Sequence, residues 1–359
     1  MDSPQRWQWD TIAAGLDHPW ALAFLPDGSF LVTERSGSLR RINRGGQLQP
    51  PIQGVPAVAA HGQGGLLDLV LDKDFDHNRR LYFCYSEPDG KQGLFGGRNR
   101  TALASAVLSD DYRRLQDVRL IFRQQPAVDS RQHFGCRIVQ SGRQLFLTMG
   151  DRYSESRQAQ KTDNHIGKVV RLNLDGTVPR DNPFVGQSGA RPEIYSYGHR
   201  NSQGATLAPD GSLWMHEHGP QGGDEINVIH PGANYGWPLT SYGEQYGGGP
   251  IGAGKPTHPG TVQPRYYWLP SIAPSGMQFV SGTRYGTAWD GNLLVGSLKF
   301  GYLGRLVLDA GGRVSHEERI PVDERVRDVR QAPDGHIYIL TDSDEGQLLR
   351  LRPPAQSAR

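Results

Sequence analysis

Three times along the chain an apolar stretch runs into Pro-Asp-Gly and out again into a second apolar stretch. The copies are Leu22–Val32, Ala205–Met215 and Val329–Leu340, with the turns at Pro26-Asp27-Gly28, Pro209-Asp210-Gly211 and Pro333-Asp334-Gly335. Asp-Gly supplies the positive φ that a tight hairpin needs, so each copy reads as two antiparallel strands. A degenerate fourth copy, Arg137–Leu147, turns at Ser141-Gly142. Asp27 and Asp210 are 183 residues apart, Asp210 and Asp334 are 124 apart, and these are three and two steps of about 61. The 359 residues hold about six such steps. Strand-and-turn repetition at this period, without helical periodicity, predicts an all-β, six-bladed β-propeller with long loops over one end of the central channel. Leu66–Leu71 with Leu81–Ser86, and Gly291–Ser297 with Gly304–Leu308, read as further blade strands. The Gly-, Pro- and Tyr-rich stretch Asn234–Pro264 reads as ordered loop, and no linker divides residues 1–359, which are expected to form a single propeller domain with a disordered tail at 353–359.

Composition narrows the function classes. There are 46 Gly and 25 Pro, about a fifth of the chain, but no Gly-X-Y period, which excludes collagen. The 36% apolar content excludes disorder, and the absence of an 18-residue apolar run predicts no membrane span. A net charge of +2 gives no nucleic-acid footprint. Cys84 and Cys136 are too few for a disulfide scaffold and too far apart for a CxxC metal site. The opening Met1-Asp2-Ser3-Pro4 carries no export signal, which leaves open that one was removed.

Several clusters carry chemistry, each with a plainer alternative. His133, in Gln132-His133-Phe134-Gly135-Cys136-Arg137, is either a hydrogen-bonded structural imidazole or a general base, with Asp151 as a group that orients it. Arg200 and Asn201 offer a planar cation and an amide for a carboxylate or carbonyl ligand, or form a surface turn. The run from His216 to Asn227 is the densest. His216 and His218 share one face of a strand, which permits a zinc pair, but the Gly219-Pro220 carbonyls with Asp224 and Glu225 suit calcium better. Asp72–Asn78 resembles a calcium loop but lacks Gly at its sixth position and Glu at its twelfth, and is read as a hairpin turn. Arg325 and Arg327 point to one side of an extended segment. With Lys299 they form a cationic cradle for a polycarboxylate, or else they pair with Glu324 and Asp328 at the surface.

Taken together and in order, these segments resemble the soluble pyrroloquinoline-quinone (PQQ)-dependent aldose sugar dehydrogenases of the glucose/sorbosone dehydrogenase-like family. Leu16–Ala21, Gly62–Asp68, the His133 segment, Gly198–Asn201, Glu217–Pro220, Gly223–Asn227, Asn234–Pro238 and Arg325–Val329 carry the resemblance over nearly the whole chain. It implies oxidation of an aldose to a lactone by hydride transfer to PQQ, with electrons passed to an external acceptor. His133 is the implied base, aided by Asp151 and by Arg200 on the quinone oxygen. The implied cofactor contacts are Gln63, Arg200, Asn201, Lys299, Arg325 and Arg327, with Leu239, Thr240, Ser241, Tyr242 and Tyr246 bordering the pocket. One calcium is expected at the quinone on the Gly219 and Pro220 carbonyls, and a structural calcium on Glu225 and Tyr235. The resemblance also implies a periplasmic or secreted enzyme, as monomer or homodimer.

The sequence departs from the family pattern in three places: Cys136 stands where a second Gly is expected, His216 replaces a small polar residue, and the His133–Asp151 turn is one residue shorter. Two other function classes remain to be separated from the dehydrogenase. A calcium-dependent propeller lactonase or esterase needs no basic cradle, and a non-catalytic glycan- or protein-binding propeller leaves His133 and Arg200 without a task.

Overall fold

The computed structural model describes residues 7–354, so the expected tail beyond Pro354 lies outside the described residues. Six antiparallel sheets follow one another along the chain. The first blade is β2 (Pro19–Phe24), β3 (Phe30–Glu34) and β4 (Leu39–Ile42), preceded by β1 (Trp9–Leu16). The second is β5 (Leu66–Leu71), β6 (Arg80–Pro88), β7 (Asn99–Leu108) and β8 (Leu115–Arg123). The third is β9 (Ile138–Ser141), β10 (Gln144–Thr148), β11 (Lys168–Asn173) and β12 (Ile194–Tyr197). The fourth is β13 (Gly204–Leu207), β14 (Leu213–Glu217), β15 (Asp224–Ile229) and β16 (Tyr266–Trp268). The fifth is β17 (Pro274–Phe279), β18 (Leu293–Ser297), β19 (Tyr302–Leu308) and β20 (Val314–Pro321). The sixth joins β21 (Val326–Gln331), β22 (Ile337–Thr341) and β23 (Gly346–Leu351) to β1, so the two ends of the chain close the ring in one sheet. The expected six-bladed propeller is therefore what forms.

The repeated hairpins are β2–β3, β13–β14 and β21–β22. Glycine alone takes the positive φ, at 79°, 84° and 86° for Gly28, Gly211 and Gly335. The aspartate acts through its side chain instead: Asp27, Asp210 and Asp334 each accept the backbone N–H two residues on, at 2.9, 2.9 and 3.0 Å. Asp72–Asn78 does join two paired strands, but through a single helical turn, α1 (Phe75–Asn78).

Innermost strands β2, β5, β9, β13, β17 and β21 contact one another in that order and around to β2 again. Buried ion pairs tie them across the axis. Asp68 accepts from Arg137 and Arg330, each at 2.9 Å, and Asp328 lies 3.2 Å from Arg137 and 3.0 Å from Arg330. Apolar side chains fill the wedges between blades, and the largest cluster runs from Trp20 through the second blade to Leu172. Inside it Cys84 and Cys136 form a disulfide, a pairing that their separation of 52 residues does not announce in the sequence.

Candidate active site

The loops that enter the third and fourth blades carry His133, Arg200 and Asn201, and the β10–β11 loop inside the third blade brings Asp151 to His133. His133 is buried, and its Nδ1 lies 2.6 Å from Asp151 Oδ1. The carboxylate can only accept, so Nδ1 carries the proton and the lone pair is on Nε2. Asp151 is itself held, its Oδ2 accepting Trp237 Nε1–H at 2.7 Å and its Oδ1 accepting the Tyr153 N–H at 2.8 Å. Burial pushes the His133 pKa down, with the charges of Arg200 and Arg152 adding to the effect, while the bond to Asp151 opposes it. The net shift is downward, so the ring is a neutral base near neutral pH. The backbone here is unusual: His133, Cys136, Arg152 and Tyr153 all have positive φ, at 51°, 80°, 57° and 65°. Gly150 permits the close approach, since a Cβ there would meet the His133 carbonyl.

His133 opens on a cavity of about 480 Å³ lined also by Asp151, Tyr153, Arg157, Arg200, Pro220, Trp237 and Tyr246. Beside it lies a second cavity of about 430 Å³, lined by Trp20, Arg35, Gln63, Gln203, His218, Lys299, Arg325 and Arg327 among others. Two contacts join them. Gln63 Oε1 accepts the His133 backbone N–H at 2.9 Å, and Arg200 donates from one guanidinium nitrogen to the carbonyls of His218 and Gly219, at 3.0 and 2.9 Å. Around this junction, Arg200 Nε, Asn201 Nδ2 and Arg327 Nε are buried donors without an acceptor among the described residues. Such groups cost about 1–3 kcal/mol each unless a ligand meets them.

The basic side chains of the second cavity are shared with Asp342. Arg327 and Arg325 both reach its Oδ2, at 2.7 and 3.2 Å, rather than pairing with Glu324 and Asp328. Burial works against the Asp342 charge, but Arg327, Arg325 and Arg35 outweigh it and hold the carboxyl well below the usual range. One carboxylate against three arginines and Lys299 leaves the cavity cationic.

Not every expected residue falls at this junction. Leu239, Thr240, Ser241 and Tyr242 line neither cavity. Their loop spends them on itself: Leu239 and Thr240 donate backbone N–H groups to Gly236 O, and Thr240 Oγ1 bonds Lys255 O. Ser241 Oγ caps the Gly243 N–H, and Tyr242 stacks on Tyr267 with its hydroxyl on Gln263. Only Tyr246 reaches the His133 cavity. His216 and His218 stack on one strand face as expected, but their Nε2 atoms are taken by the carbonyls of Ser275 and Pro274, so the permitted zinc pair is not made. Among the described residues no three His, Cys, Asp or Glu side chains form a metal-binding group.

The oxygen-rich turn is placed differently. Pro220 lines the His133 cavity and His218 the second one, and between them Gly219 donates its N–H to Asp224 Oδ1 at 2.8 Å. Glu225 on β15 faces Glu217 on β14; burial and the Glu217 charge push its pKa up to about 8. Beside it Asn227 Oδ1 is buried without a partner among the described residues. Tyr235 uses its hydroxyl on Val228 O and the His230 N–H, which leaves its backbone carbonyl as the oxygen it can offer. Trp20, Arg35, Gln203, Trp237, Arg157 and Asp342 are not among the candidate residues the sequence offers, and His218, a candidate there for a zinc pair, lines the second cavity instead. For Gln203 a signal exists, two positions after Arg200-Asn201; for Asp342, on the opposite side of a hairpin from Arg327, there is none.

The family model for glucose/sorbosone dehydrogenase matches residues 16–350. The chain belongs to that family. It is an oxidoreductase acting on sugars. The chain is 46% identical over 347 residues to the aldose sugar dehydrogenase YliI of Escherichia coli K12, covering 94% of this chain and 91% of that one. The crystal structure of the soluble aldose sugar dehydrogenase of E. coli in its apo-form superposes with a TM-score of 0.91 at 43% identity, over 97% and 99% of the two chains. The PQQ-bound aldose sugar dehydrogenase of Streptomyces coelicolor superposes at 0.75 with 25% identity, over 98% and 100%.

Proposed function

We propose that this member of the family oxidises the anomeric carbon of aldose sugars to lactones with PQQ and calcium, passing the electrons to an external acceptor. The observation that carries the reading is the junction of the two cavities, where a neutral base meets a cationic chamber with three orphaned donors. PQQ is a planar tricarboxylate with quinone oxygens, and it supplies the acceptors that this donor set lacks. Lys299, Arg325 and Arg327 would hold its carboxylates, and Arg200, Asn201 and Gln63 its polar edge. When bound, the quinone supplies the two-electron oxidant that takes the anomeric hydride.

The chain's own residues do the rest. Trp237, Tyr153 and Arg157 border the space for the sugar beside His133. His133 Nε2 accepts the anomeric hydroxyl proton, and Asp151 fixes the tautomer and steadies the imidazolium that results. Arg200, held by Gly219 O and the backbone of His218, presents positive charge where negative charge develops. Calcium would suit the oxygen donors: the Pro220 carbonyl at the cofactor with the Gly219 carbonyl, which it would share with Arg200 or take from it, and Glu225, Asn227 Oδ1 and the Tyr235 carbonyl for a structural ion. A lactonase makes no use of the Lys299–Arg325–Arg327 cradle, and the family match favours the dehydrogenase. The buried disulfide supports an oxidising compartment such as a periplasm.

The test is cofactor retention. Protein purified without cofactor is mixed with PQQ and calcium, desalted, and read by quinone absorbance. Stoichiometric retention is expected, and it should fall at least tenfold in Arg325→Ala/Arg327→Ala. A parent protein that retains no quinone with calcium present would overturn the reading.

A further inference from the structure

Cys84 lies in the middle of β6 in the second blade, and Cys136 in the turn that enters β9 of the third. Their Cα atoms are 5.8 Å apart, and neither residue is exposed. The bond therefore crosses between blades three residues from His133. That turn is built from left-handed backbone: φ is 51° at His133, 65° at Gly135 and 80° at Cys136. Glycine adopts this region freely, and a residue with a Cβ does so only when its surroundings impose it. At 135 the requirement is met by glycine, where a Cβ would stand 2.8 Å from Met149 Cα. At 136 a cysteine occupies the same unfavourable region, and its side chain is anchored covalently to the neighbouring blade.

The geometry of this turn sets the base. Cys136 N–H bonds Thr148 O at 2.7 Å, Gly135 N–H bonds Asn201 Oδ1 at 3.2 Å, and His133 N–H bonds Gln63 Oε1 at 2.9 Å. A relaxed φ at 136 would break this series and swing His133 away from Asp151. We propose that the Cys84–Cys136 disulfide is a positioning element for His133, holding the left-handed turn so that the imidazole stays bonded to Asp151 with Nε2 toward the sugar cavity. The inference rests on the reading of His133 as the proton acceptor. Because both sulfurs are buried, the bond is a permanent brace, not one that opens to solvent thiols.

Two variants separate positioning from stabilisation. Cys84→Ala removes the bond and leaves a Cβ at position 136. Cys84→Ala/Cys136→Gly removes the bond and the Cβ together. Both should melt at lower temperature than the parent. Only Cys84→Ala should lose kcat, by about tenfold or more, with the sugar KM and quinone retention unchanged. The double variant should keep parental kcat, since glycine takes φ of 80° without cost. A readout independent of turnover is the downfield Nδ1 proton resonance of His133 in protein free of cofactor. It should be sharp in the parent and the double variant and broadened in Cys84→Ala.

Parental kcat and resonance in Cys84→Ala would overturn the proposal, as would equal losses in both variants. If Cys84→Ala does not fold, Cys136→Gly alone is read instead; parental kcat and resonance are expected, and loss of either overturns the proposal. His133→Ala and the parent are assayed alongside. Failure of the parent to turn over, or full activity of His133→Ala, would defeat the functional reading itself, while the resonance would still decide the brace.

Discussion

His133 can act as a base only in its neutral form, and its surroundings favour that form. Burial lowers its pKa, and the bond to Asp151 only partly restores it. The protonated fraction therefore grows only as pH falls below the ordinary histidine value of about 6.5. We expect kcat/KM to stay level down to that pH and the acidic limb to lie below it, measured as a pH–rate profile. Asp151→Asn removes the group that raises the imidazole pKa and fixes its tautomer. The limb should move to still lower pH while kcat drops by about 10²–10⁴-fold. His133→Ala should abolish turnover and leave quinone retention near parental, as read by dye reduction and desalting. At this scale the sequence was informative where chemistry was concentrated. The His133–Asp151 pair and the Arg200–Asn201 pair were legible from residue type and position. Asp342, which organises Arg325 and Arg327, was not, because the hairpin that brings it there leaves no local signature.

The loop between β10 and β11 shows how an element carries a site. Its residues Tyr153, Ser156 and Arg157 line the His133 cavity, and Lys168 pins the loop. Lys168 donates to the carbonyls of Gln158, Ala159 and Ile166, at 3.0, 3.2 and 2.6 Å, without a carboxylate partner among the described residues. Lys168→Met would leave those buried carbonyls without that donor, at about 1–3 kcal/mol for each one left unsatisfied. A lower melting temperature is expected, together with a raised sugar KM and less change in kcat. Element by element, the hairpins of the Pro-Asp-Gly copies were readable from sequence because period-2 apolar strands and a Gly turn are local signals. That the Leu239–Tyr242 loop lines neither cavity is not legible, for the opposite reason. Nothing in a Gly-, Pro- and Tyr-rich stretch says which polar groups are spent on the loop itself, and here Thr240, Ser241 and Tyr242 all are.

The ring as a whole is held by two devices that the sequence did not announce. One is β1 pairing with β23, which closes the sixth blade with residues from opposite ends of the chain. The other is the axial set of Asp68, Arg137, Asp328 and Arg330, which links the first, second, third and sixth blades where the innermost strands converge. Arg137→Met would leave the two buried carboxylates with Arg330 as the cation they share, beside the Ile138 and Leu22 backbone N–H groups. A loss of about 3–5 kcal/mol is expected in a denaturant titration, with quinone retention following the fraction folded. The six-fold period, in contrast, was fully legible, because Asp27, Asp210 and Asp334 keep their spacing across the whole molecule. What the period places at the centre is the two-cavity junction, and the central claim concerns its chemistry. The most direct measurement is dye reduction by protein purified without cofactor, with glucose and other aldoses, in the presence and absence of PQQ and calcium. The account predicts turnover only when both are added. Turnover without the quinone, or none with both present in folded protein, would contradict it.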